Sequence, residues 1–401
     1  MRVLHLVEAA SPQACPTTLA LLGEAVGRMA GVEQEVVLLG GTGLRAAASA
    51  AGVAGARVLG VPFGRAVRGW ATARVRLARL PGVDLVHTWS AGTMTLAAML
   101  WPRLPRMLTL TQVPSPRTCH WLRMLVEHGP QGGAILATSA TIRRELLGRG
   151  VPERAVHVLR PGLDLGRVAG ANRDTLRAGW GVDPRDRGAV VVAWPGDPPW
   201  ATDAMVHVLA TGMAAEVFEP RAAGARRRFV ALMHPQAKRA AEARAVMRGI
   251  GHPVHVIEEP RLAAPWQVLP GCDVALCAGG SEKFGASGAG GLALQWAMAA
   301  GVPIIAEADY ATSEIVEANH SALLARPGDV KQLAHRMTQL IDDTRLAWKL
   351  RDTARHECYS FFSRQRYVTQ LKLAYEQHVA GHPIDIPPLE VTGGLRFTGR
   401  A

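Results

Sequence analysis

Short apolar runs alternate with longer amphipathic segments along most of the chain, and this alternation restricts the fold more than any other feature. The pattern is typical of βαβ units, in which a helix carries the chain from one parallel strand to the next. The strands predicted in the first half are Val3–Val7, Glu35–Leu39, Leu85–Thr88, Met107–Thr111, Ala134–Thr138 and His157–Leu159. Those in the second half are Ala189–Ala193, Phe229–Met233, Val254–Ile257, Val274–Cys277 and Val302–Ala306.

A polar, Gly- and Arg-rich stretch, 166–186, separates the two halves and is predicted to be a linker. At 401 residues the chain exceeds the roughly 250–300 residues that one hydrophobic core serves. We therefore expect an α/β protein with two Rossmann-like, doubly wound parallel sheets, in residues 1–165 and 187–362. Ligands of such sheets bind beyond the carboxyl ends of the strands. The proline-containing tail, 381–401, is expected to be mobile.

Positive charge is concentrated in the first domain. The chain carries a net charge of +12, and residues 1–165 hold 18 arginines and no lysine against 9 acidic residues. On a helical projection, four of these arginines share one face: Arg65, Arg68, Arg76 and Arg79. This stripe fits peripheral contact with an anionic membrane, and it equally fits a solvated helix face. Nucleic acid is not indicated, because no helix-turn-helix, zinc-finger or RNA-platform motif accompanies the charge.

The five cysteines are odd in number and lack C-x-x-C spacing, so neither a disulfide framework nor a zinc site is indicated. No metal or cofactor motif is found, and we expect neither. The amino terminus meets a charge too soon for a signal peptide. The longest uncharged stretch, Phe284–Ala306, is broken by clustered glycines and Pro303, so we expect no transmembrane span. These features predict a cytoplasmic protein, and a lipid contact of the arginine stripe would then be at the inner face of the membrane.

The segment Asp273–Gly291 carries the strongest functional signal. A predicted strand runs into a glycine-rich loop, and a helix, Leu292–Ala300, follows at once. Free backbone N–H groups and the positive end of the helix dipole favour a phosphate group at such a junction. The glycines that would permit its close approach are Gly285, Gly288, Gly290 and Gly291. A plain strand-to-helix connection is the alternative.

This segment resembles the donor-site signature of the family 4 glycosyltransferases, which have the GT-B fold. The matching motifs there are Asp273-Val274, Glu282–Gly285, Ala297–Ala306, Glu314–Glu317 and Leu323–Asp329. Elsewhere, Asp84–His87, Ala137–Ser139, Arg143–Leu146, Val158–Asp164 and Phe361–Ser363 resemble further motifs of the family in the same order. The resemblance covers roughly residues 1–380.

The resemblance implies a retaining, metal-independent transfer of a sugar from a nucleotide-sugar donor to an acceptor, whether glycan, lipid or small molecule. Residues 187–362 would bind the donor, and a closing helix, 363–380, would complete the first, acceptor-side domain. Glu282 and Glu314 would contact the donor sugar, and Arg160 and Trp296 could contact its diphosphate and base. His87 and Gln112 would lie near the reacting centre. Ser11 and Arg117 would line the acceptor side.

Several residues depart from the family pattern. Trp296 stands where a glutamate binds the ribose, and an indole can only donate a hydrogen bond. Trp194–Trp200 lacks the Arg and Lys that face the diphosphate, and Gln112 replaces a histidine. The amino-terminal Gly-Gly loop is also absent, with Ala9–Pro16 in its place. A GT-B scaffold that has lost catalysis and serves as a binding or regulatory protein is therefore the alternative. Similarly, His87 could be a structural histidine, and Glu314 a helix-start carboxylate favoured by the dipole.

Overall fold

A computed structural model describes most of the chain. The described residues are 1–9, 16–40, 53, 57–59, 73, 75, 77, 82–127, 132–183, 185–186, 188–195, 203–218, 227–249, 254–277 and 291–387. The chain divides into two compact units. Unit 1 comprises Met1–Leu163 and Phe362–Ala401, and unit 2 comprises Asp164–Phe361.

Unit 1 contains a seven-stranded parallel sheet with the order β3-β2-β1-β4-β5-β6-β7. Its strands are β1 (Arg2–Ala9), β2 (Glu33–Gly40), β3 (Arg57–Leu59), β4 (Leu85–Thr88), β5 (Arg106–Leu110), β6 (Gly133–Ala137) and β7 (Val156–Val158). Strands β4, β5 and β6 are buried along their whole length, as expected when helices cover both faces of a parallel sheet.

Four helices whose bounds lie in the described residues connect strands of unit 1: α1 (Pro16–Ala25), α2 (Ala91–Leu100), α3 (Pro116–Glu127) and α4 (Ala140–Gly148). Serine side chains cap two of them. Ser90 accepts a hydrogen bond from the backbone of Thr93 at the start of α2, and Ser139 accepts one from Ile142 at the start of α4. Each cap satisfies an N–H group that the helix itself leaves free.

Unit 2 contains a six-stranded parallel sheet with the order β10-β9-β8-β11-β12-β13. Its strands are β8 (Ala189–Ala193), β9 (Arg228–Met233), β10 (Val254–Glu258), β11 (Val274–Cys277), β12 (Ile304–Glu307) and β13 (Leu323–Ala325). The helices are α5 (Arg173–Gly179), α6 (Ala204–Phe218), α7 (Ala240–Gly249), α8 (Leu292–Ala300), α9 (Tyr310–Ser313), α10 (Val330–Asp342) and α11 (Thr344–Phe361). Short 3-10 helices occupy Leu165–Gly170 and Pro260–Ala263, Pro265–Gln267 and Leu269–Gly271.

The last helix, α12 (Arg364–Val379), belongs to unit 1. The chain enters it beside Leu163, whose N–H donates to the Phe362 carbonyl and whose carbonyl accepts from Arg364, both at 2.9 Å. Arg364 also forms an ion pair with the buried Glu24 of α1. Gly162 permits this close approach, because a Cβ there would lie 2.4 Å from the Cβ of Tyr367.

The predicted fold class is confirmed: each unit is a parallel sheet with flanking helices. Local differences have physical reasons. The amphipathic pattern over Arg345–Val379 predicts one long helix. The structure has two helices there, because Ser363 is extended and caps the start of α12. The stretch 166–186 is not an extended linker, since it contains α5 and packs in unit 2, where Trp180 lies against Gly271.

The basic stripe falls largely outside the described residues, which include none of Arg65, Arg68, Arg76 and Arg79. Within that segment Ala73, Val75 and Leu77 are helical; Ala73 and Leu77 are buried, and Val75 is 57% exposed. No helix in the described part of the chain combines the length and apolar character needed to cross a bilayer.

Candidate functional site

Strand order places a ligand crevice in unit 2 between β8 and β11. These strands are neighbours in the sheet. After β8 the chain forms β9 on one side of the pair, and after β11 it forms β12 on the other side. Connections that leave in opposite directions open a gap beyond the carboxyl ends, and ligands of doubly wound sheets bind in this gap. Ala193 ends β8 and Cys277 ends β11, so the candidate site of unit 2 lies beyond these two residues.

Helix α8 begins at this edge of the sheet. Gly291 immediately precedes it with φ +62° and ψ 48°, a left-handed conformation that favours glycine. A Cβ at Gly291 would also lie 2.6 Å from Ile315 Cδ1. Within the described residues, no side chain caps α8 and its first turn has no acidic residue. The positive end of this helix is therefore suited to an anion.

Residue Glu314 lies next to this helix start, because its neighbour Ile315 packs against Gly291. The Glu314 side chain is buried, with only 6% exposed. We expected it at the beginning of a helix, and the structure corrects this: Glu314 follows the four-residue helix α9 as its C-cap. The helix dipole therefore does not explain a carboxylate at this position.

Trp296 does not present its ring to a ligand. It is 4% exposed on α8, and its ring centroid lies 4.9 Å from that of Trp266. The guanidinium of Arg167 lies 5.2 Å from the Trp266 ring centroid. Neighbouring side chains of unit 2 cover the Trp296 ring, and a contact of this residue with the donor stays a prediction.

Trp194 follows β8, at the position where the donor-phosphate segment was expected. It is also buried, and its ring meets that of His207 edge-on, with 5.1 Å between centroids. The indole N–H finds no hydrogen-bond partner among the described residues. Burial lowers the pKa of His207 to about 3, so this histidine is neutral and supplies no charge to a phosphate.

In unit 1 the corresponding divergence of the chain lies between β1 and β4. Glu8, near the end of β1, accepts a 2.9 Å hydrogen bond from the Ser90 hydroxyl. Burial raises the pKa of this carboxyl group, and the hydrogen bond only partly opposes that rise. A carboxylate with a raised pKa at a switch point is a candidate proton acceptor. Sequence reasoning missed Glu8, although its place at the end of a predicted strand could have identified it.

His87 is enclosed in the core of unit 1. Its Nδ1 lies 2.5 Å from the Tyr375 hydroxyl and its Nε2 lies 2.8 Å from Thr109 Oγ1. Its ring stacks on Trp89 at 4.7 Å, and none of the side chain is exposed. Burial, assisted by the nearby His5, holds the pKa of His87 well below its usual range. With both ring nitrogens engaged, this environment fits the structural alternative for His87, and its catalytic role stays a prediction.

The remaining predicted residues of unit 1 are dispersed. Gln112 is exposed just after β5, and Arg117 is exposed in the first turn of α3. Arg160 is partly exposed after β7, where its carbonyl accepts a 2.7 Å hydrogen bond from Arg366. The predicted site residues that lie outside the described part of the chain are Ser11, Glu282, Gly285, Gly288 and Gly290.

Two protein-family models match the chain. The model described as Glycosyltransferase Family 4 matches residues 17–167, and that described as Glycosyl transferases group 1 matches residues 235–357. Together they fall on both units. A search of curated proteins gives no match for this sequence.

Solved structures that are similar to this chain extend over nearly its full length. HepE from Anabaena, in a complex with UDP and glucose, is 17% identical with a TM-score of 0.68, over 93% of this chain and 98% of that one. A glycosyltransferase from Rickettsia africae is 14% identical with a TM-score of 0.71, over 94% and 98%. Sucrose-phosphate synthase from Thermosynechococcus elongatus is 16% identical with a TM-score of 0.68, over 95% and 100%. At these identities the likeness concerns the fold.

The buried histidines predict an acid-sensitive fold. His5 and His207 are fully buried, and burial lowers the pKa of each to about 3. Unfolded histidine binds a proton near pH 6.5, so the unfolded chain holds more protons between about pH 6.5 and 3. Stability therefore falls as the pH decreases through that window, by at most about 1.4 kcal/mol per pH unit for each histidine.

Urea unfolding between pH 7.5 and 5 measures this slope. We expect His207→Leu to reduce the pH dependence relative to the unmodified protein, and substitution of the exposed His120 by Gln to serve as the control. Equal slopes for His207→Leu and the unmodified protein would show that His207 is not held neutral by the fold.

Proposed function

We propose that this chain is a family 4-like glycosyltransferase with the GT-B fold, which transfers a sugar from a nucleotide-sugar donor to an acceptor with retention of configuration and without a metal ion. Retention and metal independence are inferred from the resemblance in sequence. The observation that carries the proposal is the start of α8, a glycine-preceded helix end without a side-chain cap among the described residues, beyond the β8–β11 divergence.

The donor diphosphate is proposed to bind at this helix start. Its N–H groups and dipole favour negative charge, and Gly291 lets the backbone approach closely. Crystal structures of HepE hold UDP and UDP-glucose, which supports a uridine nucleotide as the first donor to test. The glycine-rich loop that includes Gly285, Gly288 and Gly290 would line the same phosphate groups.

Two carboxylates are proposed to contact the donor sugar, Glu282 in the glycine-rich loop and Glu314 beside α8. In the reaction, the acceptor oxygen bonds to the anomeric carbon, the bond from that carbon to the diphosphate breaks, and the nucleoside diphosphate leaves with the electron pair. The acceptor hydroxyl must also lose its proton.

Glu8 is a candidate to receive the acceptor proton, because its raised pKa brings the carboxyl closer to neutral pH. Gln112 has no titrating proton, so its proposed role is to hold the acceptor by hydrogen bonds.

A second candidate function is a GT-B scaffold that binds a nucleotide without transferring its sugar. The enclosure of Trp296 favours this alternative, because the ribose position then offers neither a carboxylate nor a free ring. Trp194 is also buried, so it offers no free ring beside the proposed phosphate site. Transfer and mere binding differ in one measurable respect, the turnover of a nucleotide sugar.

We expect weak donor binding, with a dissociation constant for UDP-glucose above about 100 μM by calorimetry. Each charge-assisted hydrogen bond contributes about 1.5–3 kcal/mol, and two or three of those usual in the family lack their side chains here. We further expect Glu282→Gln and Glu314→Gln each to lower turnover at least about tenfold. The exposed Glu242 of α7, changed to Gln, is the matched control.

The outcomes separate the two candidates. Turnover that falls in both carboxylate variants but not in Glu242→Gln supports the transferase. Binding of UDP without turnover of any nucleotide sugar identifies the scaffold. Turnover that neither Glu282→Gln nor Glu314→Gln reduces shows that these carboxylates are wrongly assigned.

We also propose that unit 1 contacts an anionic membrane surface through the stripe Arg65, Arg68, Arg76 and Arg79. The supporting observation is charge: 18 arginines and no lysine lie in residues 1–165. Exposed basic residues near an anionic bilayer each contribute about 1 kcal/mol.

Binding to vesicles that contain phosphatidylserine should therefore weaken steeply between low and physiological salt, because salt screens charges beyond about 8–10 Å. Replacing the four arginines by Gln should abolish binding, whereas replacing the exposed Arg117 of α3 should have little effect. Equal binding to neutral and anionic vesicles would exclude an electrostatic contact.

A further inference from the structure

A cavity of about 390 Å³ opens at the amino-terminal edge of the unit 2 sheet, opposite the edge where α8 begins. Its walls include residues at the amino ends of adjacent strands: Ala189 in β8, Asp273 before β11 and Pro303 before β12. Helix α11 closes another side with Trp348 and Arg351. We call this cavity the amino-edge pocket. Its volume lies within the roughly 300–1,000 Å³ of small-molecule sites.

Positive charge dominates the lining of the amino-edge pocket. Arg173, Arg227 and Arg351 line it, and Asp273 is the one carboxylate among its described lining residues. That carboxylate is already compensated, because Arg173 and Arg177 both pair with it. The pocket therefore has a surplus of guanidinium groups, and these bind phosphate with well-matched geometry.

Two of these guanidinium groups are held against aromatic rings, one of them buried and one exposed. Arg227 lies 5.3 Å from the Phe218 ring centroid, and Arg351 lies 4.4 Å from that of Trp348. The side chain of Arg351 also reaches Asp352, a carboxylate that is 64% exposed and so weakly coupled to it. Stacking limits the freedom of both arginines, which reduces the entropy lost when they bind an anion.

Trp348 gives the pocket a second recognition element. It is 61% exposed, an unusual degree for the largest apolar side chain, and the Arg351 guanidinium lies against its ring. A nucleobase can stack on an exposed aromatic side chain, and this stacking strengthens binding. The guanidinium groups and the exposed indole of Trp348 together fit a ligand that has both a phosphate group and a ring.

We propose that the amino-edge pocket is a second ligand site, for a small phosphate ester with a ring, such as a nucleoside monophosphate or a sugar phosphate. The strands between the two edges have four to five residues, which separates this pocket from the proposed donor site by roughly 13–17 Å. A ligand here therefore takes no part in sugar transfer. Helix α8 connects the two places, since Gly291 precedes it at the donor edge and Gly301 follows it in the pocket wall.

Calorimetry with the full chain tests the proposal, with AMP, glucose 6-phosphate, inorganic phosphate and adenosine as separate probes, and the pocket variants distinguish binding here from binding at the donor site. We expect at least one phosphate ester to bind with a dissociation constant between about 0.1 and 1 mM, and adenosine not to bind. Arg227→Gln and Trp348→Ala should each weaken that binding about tenfold or more.

The matched control lies on the same helix. Tyr359 is 45% exposed with the Arg355 guanidinium 5.7 Å from its ring centroid, and neither residue lines the pocket. Tyr359→Ala should leave binding unchanged, and far-UV circular dichroism of all variants establishes that they are folded. Three results would overturn the proposal: no binding of any phosphate ester up to about 10 mM, binding that Arg227→Gln and Trp348→Ala leave unchanged, or equal losses in Tyr359→Ala and the pocket variants. Inorganic phosphate that binds as tightly as the esters would remove the proposed role of Trp348.

Discussion

The carboxylate of Asp273 joins the two strands on which the unit 2 site depends. It accepts a 2.7 Å hydrogen bond from the backbone N–H of Val191 in β8, and the Asp273 N–H donates to the Val191 carbonyl at 2.8 Å. Arg177 pairs with the same carboxylate at 2.8 Å, and Arg173 pairs with its other oxygen. Strands β8 and β11 share only a short register, Val274 with Val192 and Ala275 with Ala193. This pairing extends to Ala193, the last residue of β8, and the donor is proposed to bind beyond it.

This arrangement gives the two edges of the sheet different roles. At the amino edge, Arg173 and Arg177 form ion pairs with Asp273, and further arginines line the amino-edge pocket. At the carboxyl edge the described residues offer a bare helix start and the buried Glu314, with tryptophans that are packed away. In unit 1, buried aromatic and histidine side chains such as Trp89 and His87 lie in the core. Glu8 lies at the switch point between β1 and β4 and is bound there by Ser90.

Sequence periodicity predicted the fold well because both sheets are parallel and buried. Such strands are continuous apolar runs, and β4, β8 and β11 match their predicted limits. The three-residue strands β3 and β13 were missed, because so short a run has no recognisable period. Helix α5 was missed because its segment is rich in charged residues, and its burial depends on Leu176 and Trp180 packing against a distant segment.

The candidate site was less predictable, since motif position does not determine where a side chain points. His87 stands at the end of a strand, as a catalytic residue would, yet Tyr375, 288 positions away, fills its environment. Trp296 occupies the place of a ligand-binding residue, yet Trp266 covers it. Glu8 lies in no motif, and only the hydrogen bond from Ser90 and the burial of both strands distinguish it from a surface carboxylate.

The central claim is that the donor diphosphate binds backbone N–H groups at the start of α8. Hydrogen–deuterium exchange with and without millimolar UDP tests it most directly, because the method reports on those N–H groups. We expect UDP to slow exchange in peptides that cover Gly291 and the first turn of that helix. UDP that binds without protecting the start of α8 would contradict the account, and so would protection confined to the pocket beside Trp348.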